Sequence, residues 1–218
     1  MKGGVGVFGG TFNPIHWGHL RAAEEVAERL ELERVLFVPS ASPPHKPGAG
    51  VAPASRRLAW VREAVADNPR FAVDALEIER GGRSYSVDTL REIAARLTPE
   101  RPVFVIGCDA FAEIDAWREP QELLGLAHFA VMTRPRTDGS TLRDWLPGAL
   151  AGGVELAADG LSGRHRESGA QLALVGISAL DVSSSDVRRR LREGLSVRYL
   201  LPEGIRRDVE ESGIYTQA

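Results

Sequence analysis

Val5-Gly6-Val7-Phe8-Gly9-Gly10-Thr11-Phe12-Asn13-Pro14-Ile15-His16-Trp17-Gly18-His19-Leu20 is the stretch on which the reading of this chain turns. Val5 to Phe8 is short and apolar and breaks at Gly9-Gly10, the pattern of a buried strand ending in a tight loop. Past the loop, Leu20, Ala23, Val26, Ala27 and Leu30 recur at helical spacing, which predicts a helix from His19 to Leu30. A strand, a glycine turn and a helix open the chain, and the same alternation continues outward from them. Val35-Leu36-Phe37-Val38 predicts a second buried strand stopped by Pro39, followed by a Pro-, Gly-, Ala- and Ser-rich loop to about Ala54. Leu58, Val61, Ala64 and Val65 mark a helix that Asn68-Pro69 ends. Phe71-Ala72-Val73 reads as a short strand, and Ser86 as the cap of a helix carrying Leu90, Ile93, Ala94 and Leu97. Val103 to Ile106 and Phe129 to Met132 are two further central strands. From Pro135 to Gln171 the pattern is poor, with Gly160 to Gly169 reading as a flexible loop before a last apolar run, Leu172 to Gly176. Helices over Ser184 to Arg192 and Pro202 to Ser212, the latter stopped by Gly213, close the chain.

Buried strands alternating with amphipathic helices predict an α/β fold: a Rossmann-like, doubly wound, mainly parallel sheet with helices on both faces. A chain of 218 residues, without a clear linker or internal repeat, is expected to form one domain over 1–218, its helical end from about 184 to 218 carrying a late motif. The 27 Lys and Arg against 30 Asp and Glu leave a net charge of −3, which disfavours a protein that wraps nucleic acid. At 43% hydrophobic and 26% charged residues the chain is globular and not disordered. A single cysteine excludes an internal disulfide framework and a cysteine-built zinc site. Neither a membrane-spanning run nor a signal peptide is legible, so the expected compartment is the cytoplasm.

In open α/β sheets ligands bind beyond the carboxyl ends of the strands. Gly9-Gly10-Thr11-Phe12 follows the first strand, Pro43-Pro44-His45-Lys46 the second, Gly107-Cys108-Asp109 the third central one and Thr133-Arg134-Pro135 the fourth. The unusual polar residues therefore gather on the predicted ligand edge. Gly4-Val5-Gly6-Val7-Phe8-Gly9 matches the G-x-G-x-x-G dinucleotide string. That motif needs a strand before its first glycine, and here the string contains the strand, so a dehydrogenase is set aside.

His16 and His19 are three apart at a helix start, where both rings can meet phosphates beside the positive end of the helix dipole. Gly9 and Gly10 permit a close backbone approach to a ligand, and Gly18 leaves room for an adenine or ribose. No third ligand accompanies the two histidines, which argues against zinc. Val182-Ser183-Ser184-Ser185-Asp186-Val187-Arg188 opens a late helix whose N–H groups, hydroxyls and Arg188 suit an anion.

The two motifs together resemble the signatures of the nucleotidyltransferase superfamily, G-x-F-x-P-x-[HT]-x-x-H early and I-S-S-T-x-I-R late. More closely, the chain resembles the bacterial nicotinate-nucleotide adenylyltransferase family. The likeness runs from Val5 to Tyr215 and includes Pro43-Pro44-His45-Lys46, Ser84 to Leu90, Gly107-Cys108-Asp109 and Trp117 in the family's order. Val182 and Ser185 stand where Ile and Thr are usual, and Cys108 where alanine is common.

The resemblance implies adenylyl transfer from ATP to nicotinate mononucleotide, with Mg²⁺ arriving on ATP. It implies catalytic roles for His16, His19 and Arg188, and an ATP site of Gly9, Gly10, Thr11, Phe12, Gly18, Gly107, Asp109, Ser184 and Ser185. It implies that Asn13, His45, Lys46, Tyr85, Thr89, Trp117 and Arg134 receive nicotinate mononucleotide, though packing is the commoner role for Tyr85 and Trp60. The implied partners are these small molecules, without nucleic acid or membrane, and self-association is left open. Three other readings remain: a sister enzyme such as phosphopantetheine adenylyltransferase or a cytidylyltransferase, a silent nucleotide-binding regulator, and a nucleic-acid-binding module. The presence of His16, His19 and Arg188 counts against the second, and the acidic balance against the third.

Overall fold

The computed structural model describes residues 2–42, 50–133, 140–178 and 180–216. Its strands are β1 (Val5–Gly10), β2 (Arg34–Pro39), β3 (Phe71–Val73), β4 (Val103–Gly107), β5 (His128–Met132), β6 (Val154–Leu156), β7 (Ser162–His165) and β8 (Gln171–Val175). The helices are α1 (Trp17–Arg29), α2 (Ala54–Val65), α3 (Leu76–Arg80), α4 (Ser86–Leu97), α5 (Cys108–Ala112), α6 (Pro120–Leu126), α7 (Leu142–Trp145), α8 (Gly148–Ala151), α9 (Ser184–Arg192) and α10 (Glu203–Ser212). The strands form one eight-stranded sheet in the order β3-β2-β1-β4-β5-β8-β7-β6. β1 with β4, β4 with β5, and β5 with β8 pair in parallel, while β6, β7 and β8 pair antiparallel. The expected α/β, mainly parallel sheet is what the chain forms.

By contact density the chain divides into two compact units. One comprises Met1–Gly9, Ala22–Leu36 and Tyr85–Ala179; the other comprises Gly10–Arg21, Phe37–Ser84 and Leu180–Ala218. In the first, β4 and β5 run in register from Val103 opposite His128 to Gly107 opposite Met132. Both are continuous apolar runs, as strands covered on both faces must be. Phe129 sits edge-on to Phe104 with ring centroids 5.7 Å apart, and tilted against Phe111 at 6.0 Å. In the second, Phe12, Ile15, Phe37, Trp60, Val61, Val187, Ile205 and Val209 are buried. Trp60 is a packing residue, as expected.

Two sequence expectations are corrected, and one element is new. Ser86 does not cap α4: Tyr85 occupies that position without a side-chain bond, and Ser86 is already helical. The short helix α3 was not anticipated. Gly160 to Gly169 is not a flexible loop but contains β7, the middle strand of the antiparallel β6-β7-β8 meander. Its signal lies in the two turns and not in apolar periodicity. At the first, the Asp159 carboxylate accepts from the Leu161 N–H at 2.9 Å and Gly160 takes φ 69°, a conformation that favours glycine. At the second, the Ser168 hydroxyl accepts from the Ala170 N–H at 3.1 Å and lies 2.9 Å from His165 Nδ1.

His128, at the start of β5, accepts the Gln171 N–H on Nδ1 at 2.8 Å. Burial, then neighbouring positive charges including Arg101 and Arg164, depress its pKa from 6.5 to about 4. As pH falls the unfolded chain takes up this proton first. The contribution of His128 to stability is therefore complete above about 6.5 and is lost as pH falls towards about 4. His128→Asn, which keeps an acceptor for Gln171, should lose less thermal stability than the wild type between neutral pH and about pH 4. Equal losses in paired melting curves would dismiss His128 as the titrating group.

Candidate active site

The loop after β1 returns on itself before α1 begins, and His16 at its end meets His19 in the first turn of α1. The His16 and His19 rings stack with centroids 3.7 Å apart and planes inclined by 25°. The backbone N–H of His16 donates to His19 Nδ1 at 3.2 Å, and the His19 N–H donates to the His16 carbonyl at 2.9 Å. Because Nδ1 of His19 is an acceptor, its neutral ring carries the proton on Nε2, where it can donate to an anionic oxygen. Phe12, buried at φ 47°, stands edge-on to His19 with centroids 5.2 Å apart. A Cβ on Gly18 would lie 3.0 Å from His16 Nδ1 and 3.3 Å from the Val182 carbonyl oxygen. The absence of a side chain at Gly18 thus lets the late motif approach the buried histidine. A Cβ on Gly10 would likewise meet the Phe12 ring at 3.0 Å, whereas one on Gly9 would make only ordinary contact with Phe104 at 3.8 Å.

α9 is fastened to this loop by its own first residues. Ser183 caps the helix, its hydroxyl accepting from the Asp186 N–H at 3.1 Å. Ser184 donates its hydroxyl to the Pro14 carbonyl at 2.9 Å. Arg188 donates Nη1 to the Asn13 carbonyl at 2.8 Å and Nη2 to the Ser185 hydroxyl at 3.2 Å. Two of its five N–H donors are spent in this way, which holds the guanidinium half-buried with donor capacity left for a ligand. Burial lowers its pKa below the ordinary guanidinium value, yet an arginine stays charged. The Asn13 side chain is itself anchored. Nδ2 donates to the Gly50 carbonyl at 2.8 Å, Oδ1 accepts from the Ala52 N–H at 2.9 Å, and the Tyr215 hydroxyl donates to the same Oδ1.

Arg57, in the second turn of α2, was missed by sequence reading. It is 1% exposed, and its guanidinium reaches four backbone carbonyls. Nε donates to Ala52 at 2.9 Å, Nη1 to Thr11 at 2.7 Å, and Nη2 to Ser40 at 2.7 Å and Ala41 at 3.1 Å. A single cation therefore ties the segments following β1 and β2 to the start of α2. An arginine beside small residues in an amphipathic helix carries no sequence mark of such a role. Tyr215, beyond the last helix, was equally silent.

Gly107, Asp109, Tyr85, Thr89 and Trp117 lie in the first unit. Gly107 ends β4 and caps α5, while Asp109 is exposed in the first turn of α5. Cys108 is buried, as expected, and its thiol lies 3.7 Å from Asp109 Oδ1. Thr89 is buried on α4, its hydroxyl 3.4 Å from the Tyr85 carbonyl. Tyr85 lies beneath the Arg118 guanidinium, 4.9 Å from ring centroid to the guanidinium carbon. Trp117 is half-buried, edge-on to Phe104 at 6.5 Å, and its N–H donates to the Ile114 carbonyl at 3.1 Å. His45, Lys46 and Arg134 lie outside the described residues.

A model of the cytidylyltransferase-like family matches residues 7–190, which takes in both the histidine loop and Arg188. The chain is 44% identical over 216 residues to a probable nicotinate-nucleotide adenylyltransferase of Citrifermentans bemidjiense, covering 98% of this chain and 99% of that protein. The chain belongs to the nicotinate-nucleotide adenylyltransferase family. A Geobacter protein described in the same words is 43% identical, again over 98% of this chain and 99% of the relative. Among solved structures, Plasmodium falciparum nicotinic acid mononucleotide adenylyltransferase complexed with NaAD is similar with a TM-score of 0.73. That likeness covers 99% of this chain and 98% of that one at 14% identity, and it is one of fold. For this member of the nicotinate-nucleotide adenylyltransferase family, residue 190 closes the model match while Tyr215 bonds back into the early motif from beyond it.

Removing the Arg57 guanidinium would strip four carbonyls of their donor. Arg57→Met should cost about 3 kcal/mol or more of folding stability, since each buried group left unsatisfied costs roughly 1–3 kcal/mol. Arg57→Lys should recover only part, because one ammonium cannot span the same acceptors. Urea unfolding checks this, and a loss below about 1 kcal/mol for Arg57→Met would show that solvent replaces the guanidinium.

Proposed function

We propose that the chain transfers the adenylyl group of ATP to nicotinate mononucleotide, forming nicotinate adenine dinucleotide and pyrophosphate. The observation that carries this reading is the fastening of Arg188 and Ser184 to the Asn13 and Pro14 carbonyls, immediately before the stacked His16 and His19. Family membership and the names of its relatives support the same conclusion.

An oxygen of the mononucleotide phosphate attacks the α-phosphorus of ATP, and the bond to the β-phosphate oxygen breaks in line. The attacking monoester is already largely ionised at neutral pH, its second pKa being about 6, so no general base is needed. The protein's work is to align the two phosphates and offset the charge that gathers on the α-phosphate and the leaving pyrophosphate. His19 donates from Nε2, His16 stacks behind it, Arg188 contributes a fixed cation, and the start of α1 contributes the positive end of its dipole. Ser185 and the N–H groups of α9 receive phosphate oxygens.

Asp109 accepts from a ribose hydroxyl beside Gly107. We assign Trp117 to stacking on the nicotinate ring, and Tyr85, Thr89, His45, Lys46 and Arg134 to recognition of the mononucleotide. Among the described residues no group of three or more His, Cys, Asp or Glu side chains is arranged to hold a metal. Mg²⁺ would arrive with ATP and would offset part of the triphosphate charge. Among the described residues no helix is long and apolar enough to cross a membrane, and we read the enzyme as cytoplasmic.

Pyrophosphate release with Mg-ATP and, in parallel, nicotinate mononucleotide, nicotinamide mononucleotide or phosphopantetheine tests the assignment. Turnover is expected with the nicotinate compound, and a signal with phosphopantetheine alone would transfer the chain to a sister activity. His19→Ala should lower kcat about a hundredfold with the fold intact, the scale of losing one donor to transition-state charge. Near-normal kcat would remove His19 from the chemistry. Arg188→Ala should chiefly raise the KM for ATP. Trp117→Ala should raise that for the mononucleotide more than that for ATP, and the reverse pattern would reject its stacking role.

A further inference from the structure

We infer that Tyr215 is a positioning residue for phosphate binding: its hydroxyl holds Asn13 so that the Asn13 carbonyl can hold Arg188. This rests on the adenylyltransferase reading, and it assigns a role to a residue that lies outside both motifs. Tyr215 is 3% exposed, and its ring packs against Trp60 with centroids 6.3 Å apart. Trp60 Nε1 in turn donates to Asp208 on α10 at 2.6 Å. The tyrosine is thus fixed by its ring, and its one polar atom is directed at Asn13 Oδ1.

Asn13 is the junction. Its side chain is held on one side by Gly50 and Ala52 and on the other by Tyr215, while its backbone carbonyl accepts from Arg188 Nη1. A charge-assisted bond from a guanidinium is strong only when its acceptor is fixed. Two elements distant in sequence, Tyr215 and the Gly50–Ala52 strip, fix it here. Burial raises the Tyr215 pKa well above its ordinary value of 10.0, against the opposing pull of Arg188 and Arg57, so the hydroxyl remains a donor throughout the working pH range. Ring packing alone would be served equally by phenylalanine. The chemistry that separates tyrosine from phenylalanine at this position is the bond to Asn13.

Tyr215→Phe keeps the ring and deletes the bond, and Asn13 Oδ1 retains the Ala52 N–H, so the fold should persist. The test compares wild type, Y215F, R188A and the double variant, all at a temperature where circular dichroism shows each to be folded. With Mg-ATP and nicotinate mononucleotide, Y215F should raise the KM for ATP roughly three- to tenfold, the scale of one hydrogen bond. Because Tyr215 acts through Arg188, adding Y215F to R188A should produce no further rise in the KM for ATP.

A purely structural tyrosine would lower the folded fraction, and hence kcat, without moving KM. An unchanged KM for ATP in Y215F, or effects that multiply in the double variant, would overturn the positioning role and leave the enzyme assignment standing. If the wild type releases no pyrophosphate, that assignment falls instead. Calorimetric titration of ATP into the same four proteins then decides the positioning role by the same criterion, and failure of the wild type to bind ATP would overturn both.

Discussion

The Arg57 guanidinium is the interaction on which the second unit's loops depend. An isolated cation is costly to bury unless its donors are met, and here the acceptors are carbonyls drawn from three separate segments. The carbonyls share the cation, and each is held in place by the others. Thr11 opens the histidine loop, Ser40 and Ala41 follow β2, and Ala52 also donates to Asn13. The stacked histidines, the Asn13 junction and the approach of α9 all build on backbone that this one side chain orders.

Much of the arrangement around it follows from using a few groups twice. Asn13 meets Tyr215 and the Gly50–Ala52 strip through its side chain, and Arg188 through its backbone. Arg188 secures α9 and keeps donors in reserve. His19 fixes the His16 backbone through Nδ1 and stacks its ring on that of His16. Chemistry that asks mainly for alignment of two phosphates needs such rigidity more than it needs acid–base groups.

The central strands were legible because a strand covered on both faces must be an unbroken apolar run, and Val103 to Ile106 and Phe129 to Met132 are such runs. The extents of α9 and α10 were legible from Ser, Pro and Gly at their ends. The β7 hairpin was not, because its strand is polar and is specified by the Asp159-Gly160 and Ser168-Gly169 turns. On the site, His16, His19 and Arg188 stood out because histidine pairs and serine-capped helices are chemically conspicuous. Gly18 was visible as a residue that makes room, and the close approach of His16 and the Val182 carbonyl to it became visible only in the structure. Arg57 and Tyr215 act on partners far away in sequence, Tyr215 on Asn13 at a separation of 202 positions, and local pattern holds no trace of that.

That separation also orders events in time. Both side chains that meet Asn13 from beyond α9's start are made long after it, Arg188 at 175 positions and the Tyr215 hydroxyl at 202. At about 5–20 residues per second the loop waits roughly 10–40 seconds for its last tether. During synthesis Asn13 therefore exists for that interval without the two side chains that brace it.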